Sequence, residues 1–127
     1  MSSFEWSAPA ARFEVFGVPC VVEIGDAEIF DRLQKTGEKL MGFDPAKGGQ
    51  KAALAMSHEL RGVVRAVVGD EAASRIFEGR KPNIAMEASM IAYIFEQINE
   101  ASAEAEGSVE SAVARIAALN KPLGDEE

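Results

Sequence analysis

Arg12-Phe13-Glu14-Val15-Phe16-Gly17-Val18-Pro19-Cys20-Val21-Val22-Glu23-Ile24 is the stretch that decides the fold. Phe13, Val15, Val18, Val21, Val22 and Ile24 are strand formers, and Gly17 interrupts them near the middle, so the stretch reads as a β-hairpin. A two-residue turn at Gly17-Val18 puts glycine at the first central position, where a positive φ is needed. Phe16 then faces Pro19, Val15 faces Cys20, Glu14 faces Val21, Phe13 faces Val22 and Arg12 faces Glu23. One face becomes Phe13, Val15, Cys20, Val22 and Ile24, wholly apolar. The other carries Arg12, Glu14, Phe16, Val21 and Glu23. A one-residue slip would turn the apolar set outward, which argues for this sorting of the faces. Two strands alone are marginal in water, so the hairpin must pack on helices.

Helices follow. Beyond Gly25, Asp26 is the expected N-cap of a helix over 27–41 with Ile29, Phe30, Leu33, Leu40 and Met41 on one stripe. Gly42 to Gly49 reads as a loop. A second helix over 50–68 carries Ala53, Met56, Leu60, Val63, Val64 and Val67 on one side. Asp70 is expected to cap a short third helix that runs through Phe77 and stops at Gly79. Lys81-Pro82-Asn83 introduces the strongest helix, over 84–105, with Ile84, Ala88, Ile91, Ile94, Phe95 and Ile98 at helical spacing. Ser108 is expected to start a last helix bearing Val109, Ala112, Val113, Ile116 and Leu119. The predicted fold class is α+β, mostly helical, with an N-terminal hairpin packed on about four to five helices. Residues 1–11 read as a flexible lead-in, 12–119 as one globular domain and 120–127 as an acidic tail.

The chain has 127 residues, 47% hydrophobic and 27% charged. A domain of this length buries about two-thirds of the surface its unfolded chain exposes, enough for a core without disulfide or metal. The apolar runs are far shorter than the ~20 residues that cross a bilayer, and the start lacks a basic region followed by an apolar one. With the single cysteine, Cys20, these features predict a cytoplasmic protein with no membrane association. The formal net charge of −8 opposes binding to a phosphate backbone, and the local cluster Arg75, Arg80 and Lys81 is diluted by Glu71 and Glu78, so no nucleic-acid role is expected.

No catalytic, cofactor or metal constellation is legible. The only histidine, His58, has Leu54, Ala55, Arg61 and Gly62 as its helical neighbours, none of them a partner for metal or base catalysis. Cys20 falls on the apolar hairpin face, where a free thiol behaves as a small hydrophobe. Glu87, Glu96, Glu100, Glu104 and Glu106 read as the wet face of a helix. The glycines of 42–49 lack the Lys-Ser/Thr ending of a phosphate loop. The chain is expected not to be an enzyme and to need no cofactor. The residues that stand out are hydrophobes outside the stripes: Phe4 and Trp6 in the lead-in, Phe16 and Val21 on the polar hairpin face, and Phe43 after the first helix. These are the candidate anchors for a protein partner.

The order of elements adds a resemblance. The hairpin and an acidic helix are followed by a long helix running into Val67-Val68-Gly69-Asp70-Glu71-Ala72-Ala73-Ser74-Arg75-Ile76-Phe77-Glu78-Gly79-Arg80. An Asn-capped helix through Tyr93-Ile94-Phe95-Glu96-Gln97-Ile98 comes next. Over roughly residues 12 to 100 this resembles the tail assembly chaperones of long-tailed bacteriophages and prophages, with Val68 standing where their motif has an aromatic residue. The resemblance implies a non-enzymatic role in the host cytoplasm: keeping the tape-measure protein soluble and delivering it, with tail-tube protein as a further partner. It implies no catalytic residues, and a homo-oligomer stays open. A head–tail connector protein and an acidic regulatory or antitoxin-like helical protein are the alternatives of other classes.

Overall fold

A computed structural model describes residues 9–25, 27–44 and 46–120. Strands β1 (Ala10–Val15) and β2 (Val18–Glu23) form an antiparallel hairpin, followed by helices α1 (Ala27–Gly42), α2 (Gly49–Val68), α3 (Asp70–Phe77) and α4 (Ile84–Leu119). The hairpin's apolar face lies on α2, α3 and α4, and α1 packs against α2 and α4. One buried cluster joins Phe13, Val15 and Val22 to Val63, Val64 and Val67 and to Ile91 and Ile94, with Leu33 of α1 and Ile76 of α3 completing it. Leu60, Ile76, Ile94 and Ile98 are essentially inaccessible, each contributing about 1.5–3 kcal/mol relative to exposure. The mostly helical α+β architecture agrees with the expectation.

The expected hairpin register is corrected. The turn is Phe16-Gly17, with φ of 50° and 77°, so Val15 pairs with Val18, Phe13 with Cys20 and Arg12 with Val21. Two positive φ values define the hairpin turn whose twist matches that of the strands. The shift is by two residues, which leaves every side chain on its expected face. Phe13, Val15, Cys20 and Val22 are buried, joined by Val18 and Ala11. β1 also begins ahead of its expected start, because the Pro9 carbonyl accepts a hydrogen bond from the Ile24 amide at 3.0 Å and carries the ladder back to Ala10.

The helix boundaries bring two further corrections. Asp70 is the first residue of α3 and makes no side-chain cap; the preceding residue is Gly69, at φ 95°. Asn83 does cap α4, its Oδ1 accepting from the Met86 amide at 3.0 Å. The expected break before Ser108 is absent. α4 runs 36 residues, ~54 Å at the helical rise, because the Ser108 hydroxyl turns back to donate to the Glu104 carbonyl at 3.2 Å instead of capping a new helix. Four helices are therefore present among the described residues. The Asp26 cap and the residues of 1–8, including Phe4 and Trp6, lie outside the described residues, as does the acidic tail beyond 120.

Candidate functional site

An apolar recess lies between α1 and α4. Helical spacing on α1 sends Phe30, Leu33 and Leu40 toward α4, which answers with Ile91 and Phe95. Buried Leu33 and Ile91 line it together with small residues, Gly37 on α1 and Ala88 and Ala92 on α4, and the two helices leave an open groove of about 460 Å³. Phe30 and Phe95 meet edge to face across it, ring centroids 6.2 Å apart. Phe95, expected on the apolar stripe of its helix, is half-buried and forms a groove wall. Gln34 and Glu96 supply the polar lining. The groove offers apolar walls with few hydrogen-bonding groups, a chemistry suited to the hydrophobic face of a helix.

A second recess, between α1 and α2, has the opposite character. It encloses about 800 Å³ and is lined by Asp31, Lys35, Lys39, Glu59 and His58 among others. Lys35 pairs with Asp31 at 2.9 Å, and Lys39 pairs with Glu59 across the two helices. His58 is exposed. Among the described residues no group of three or more His, Cys, Asp or Glu side chains is placed to hold a metal ion, and no helix is long and apolar enough to cross a membrane. Cys20 is buried, its thiol 3.5 Å from the Val18 carbonyl. Burial pushes that thiol above its usual pKa, and a backbone hydrogen bond at Val15 opposes the shift.

No family model, curated protein or solved structure matches this chain. Its own geometry therefore carries the functional argument.

The sequence-predicted anchors are dispersed. Phe16 sits at the hairpin tip, 48% exposed, with the Arg80 guanidinium 3.6 Å from its ring centroid. Val21 stands on the outer hairpin face opposite Arg12, 52% exposed. Phe43 follows α1 and is half-buried, so it belongs to a different element from the other two. Met41, expected on the α1 stripe, points outward at 88% exposure, while Thr36 takes a buried position and donates to the Arg32 carbonyl at 2.8 Å. The Arg75, Arg80 and Lys81 cluster loses one cation to structure, since Arg80 caps Phe16 and donates to the Ile76 carbonyl at 2.8 Å.

One polar feature escaped sequence reading. Glu87, assigned to the wet face of its helix, is 2% exposed. Its Oε2 accepts hydrogen bonds from Ser57 at 2.8 Å and from Arg61, both on α2. Arg61 also donates to the Arg80 and Lys81 carbonyls at 3.1 and 2.9 Å and lies over the Phe77 ring at 4.6 Å. This network ties α2, the α3–α4 connection and the first turn of α4 together. A serine and an arginine four residues apart on α2, facing a first-turn glutamate, were the only available signal.

Proposed function

We propose that this chain is a non-enzymatic helper of the tail assembly chaperone type, which binds an amphipathic helix of its client in the groove between α1 and α4. The observation that carries this reading is the groove itself. Its walls are aromatic and aliphatic, and the small residues Gly37, Ala88 and Ala92 in its lining leave room for a partner backbone. An apolar groove with so few polar groups rewards burial of a hydrophobic stripe and tolerates many sequences, which is what a holder of aggregation-prone helices needs. The net charge of −8 keeps the empty helper soluble and favours a client with basic residues beside its apolar stripe.

The resemblance of residues 12 to 100 to tail assembly chaperones supplies the client class: the tape-measure protein, and tail-tube protein as a second partner, met in the cytoplasm of the host cell. The test is co-expression with a tape-measure protein. The intact chain keeps it in the soluble fraction. Ala92→Trp, which fills the groove from a position already exposed, lowers the soluble fraction while leaving the melting temperature close to that of the parent. Trp6→Ala and deletion of residues 1–8 measure the separate contribution of the lead-in anchors. If the intact chain leaves tape-measure solubility unchanged, the chaperone reading is wrong; stoichiometric recovery of the protein from finished virions would favour the head–tail connector.

A further inference from the structure

Beyond Ser102, α4 leaves the body of the protein. Of residues 103–120 only Ala105 and Ala112 are even half-buried, while Val109, Val113, Ile116 and Leu119 are 63%, 58%, 57% and 85% exposed. These side chains are not scattered. Ser102, Ala105, Val109, Ala112, Ile116 and Leu119 alternate spacings of three and four, and the same seam continues upstream through Ile98, Phe95, Ile91, Ala88 and Ile84. Such a period is that of a helix seam packed against another helix nearly parallel to its axis. The upstream half of the seam meets the hairpin, α2 and α1. From Val109 onward the large residues of the seam are exposed.

We propose that the distal half of α4 is a dimer interface, and that its occupant is the same segment of a second copy running antiparallel. The order of sizes along the seam points to a second copy. With Val109 set level with Ala112 of the second copy, every layer of an antiparallel pair matches a large side chain with a small one. Ala105 meets the partner's Ile116 and Val109 meets Ala112, each match occurring twice by symmetry, and Leu119 comes level with Ser102, whose hydroxyl is already buried in its own copy. Alternating sizes across facing positions is how layers interdigitate without voids. The parallel pairing stacks Ala105 on Ala105 and Ala112 on Ala112, and opens gaps on both sides of the Val109 layer.

Charge agrees with the same register. Arg115 is the only Lys or Arg of residues 103–120. The antiparallel pairing brings it to the edge of the seam between Ser108 and Glu104 of the second copy, within reach of that carboxylate. Glu106 falls beside Val113 of the second copy, so these seam-edge positions bring no two carboxylates together. The contact is isologous and closes on itself, giving a dimer and no longer chain of copies. It lies on a different part of the molecule from the α1–α4 groove and leaves both grooves of the dimer open, so it does not depend on the client reading.

The mass and two cysteine variants of the full chain test this. By sedimentation the intact protein runs at twice its 13.6 kDa monomer mass, and Ile116→Glu halves that mass while the near-UV signal of Tyr93, packed on Phe13, is retained. Ala105→Cys and Ile116→Cys are then oxidised separately and mixed; Cys20, buried under the hairpin, does not compete. The mixture forms the Ala105→Cys to Ile116→Cys cross-link, and neither variant cross-links to itself. Self-cross-linking of each separate variant would establish a parallel pair and overturn the proposal. A monomer mass for the intact chain at its highest soluble concentration would overturn it as well.

Discussion

Arg61 on α2 and Glu87 on α4 form an ion pair whose carboxylate is 2% exposed and whose guanidinium side chain is 23% exposed. One carboxylate oxygen serves both Arg61 and Ser57, and the other, Oε1, is buried with no hydrogen-bond partner in the protein. The pair is thus incompletely satisfied, and its two charges have lost most of their water.

Removing one partner of such a pair strands the other. Glu87→Ala is expected to lower stability by roughly 3 kcal/mol, and Glu87→Gln by less because Ser57 retains an acceptor. The Arg61→Met/Glu87→Leu double variant is expected to be more stable than either single change, since it removes both desolvated charges together. Urea denaturation of the parent and these variants measures this; single variants as stable as the parent would show that the pair is not buried.

The hairpin tip depends on a contact from outside the hairpin. Phe16 holds a φ of 50°, a left-handed conformation that disfavours a bulky side chain by ~1–2 kcal/mol. Its ring is covered by the Arg80 guanidinium, an interaction of about 0.5–1 kcal/mol at an exposed site. A double-mutant cycle with Phe16→Asn and Arg80→Ala is expected to give a coupling of about that size. Asparagine followed by glycine is the preferred pair for this turn, so Phe16→Asn alone should change stability little. Zero coupling would remove the guanidinium contact from the account.

Three helix-interior glycines have open space where a Cβ would stand, Gly37 in α1, Gly62 in α2 and Gly107 in α4, and the last two lie outside the α1–α4 groove. Alanine at Gly62 or Gly107 is expected to raise stability by ~0.5–1 kcal/mol through the smaller backbone entropy lost on folding. The gain at Gly107 is expected in the helicity of the distal α4 segment, read by far-UV circular dichroism. A loss of helicity at Gly107→Ala would mean that the helix does not run through this position.

Cys20 sets an alkaline limit. Its thiol is held above the ordinary value of 9.0 by burial, so the unfolded chain releases this proton at a lower pH than the folded one. Its contribution is intact below the unfolded pKa and is lost as pH rises through the folded pKa. Thermal stability is expected to fall above about pH 9 more steeply for the parent than for Cys20→Ala. The thiol should also react with an alkylating reagent at the rate of opening; immediate reaction in the native protein would contradict its burial.

Part of this was legible in the residues and part was not, and the divide follows physical lines. Alternation in 12–24 assigned each hairpin side chain to its face, because a strand's period of two is intrinsic to the backbone. It could not assign the register. A two-residue shift preserves both faces, and the choice rested on whether Phe16 could hold a positive φ beneath the cation of Arg80, far along the chain. The Asn83 cap was legible because a cap is local. The groove was not, since its lining joins Leu33 and Gly37 of one helix to Ala88 and Ala92 of another, distant in sequence.

The sequence by itself determined the α+β class, the stripes of α1, α2 and α4 and the absence of a span long enough to cross a membrane, all of which follow from spacing along a single element. Tertiary structure alone decided the fate of Glu87 and of the Gly107-Ser108 pair. A glutamate reads as wet until a neighbouring helix brings Ser57 and Arg61 to it, and Gly-Ser reads as a break until the intact helix turns the Ser108 hydroxyl onto the Glu104 carbonyl. Burial and pairing between elements distant in sequence are properties of the assembled chain, and no period along the sequence encodes them.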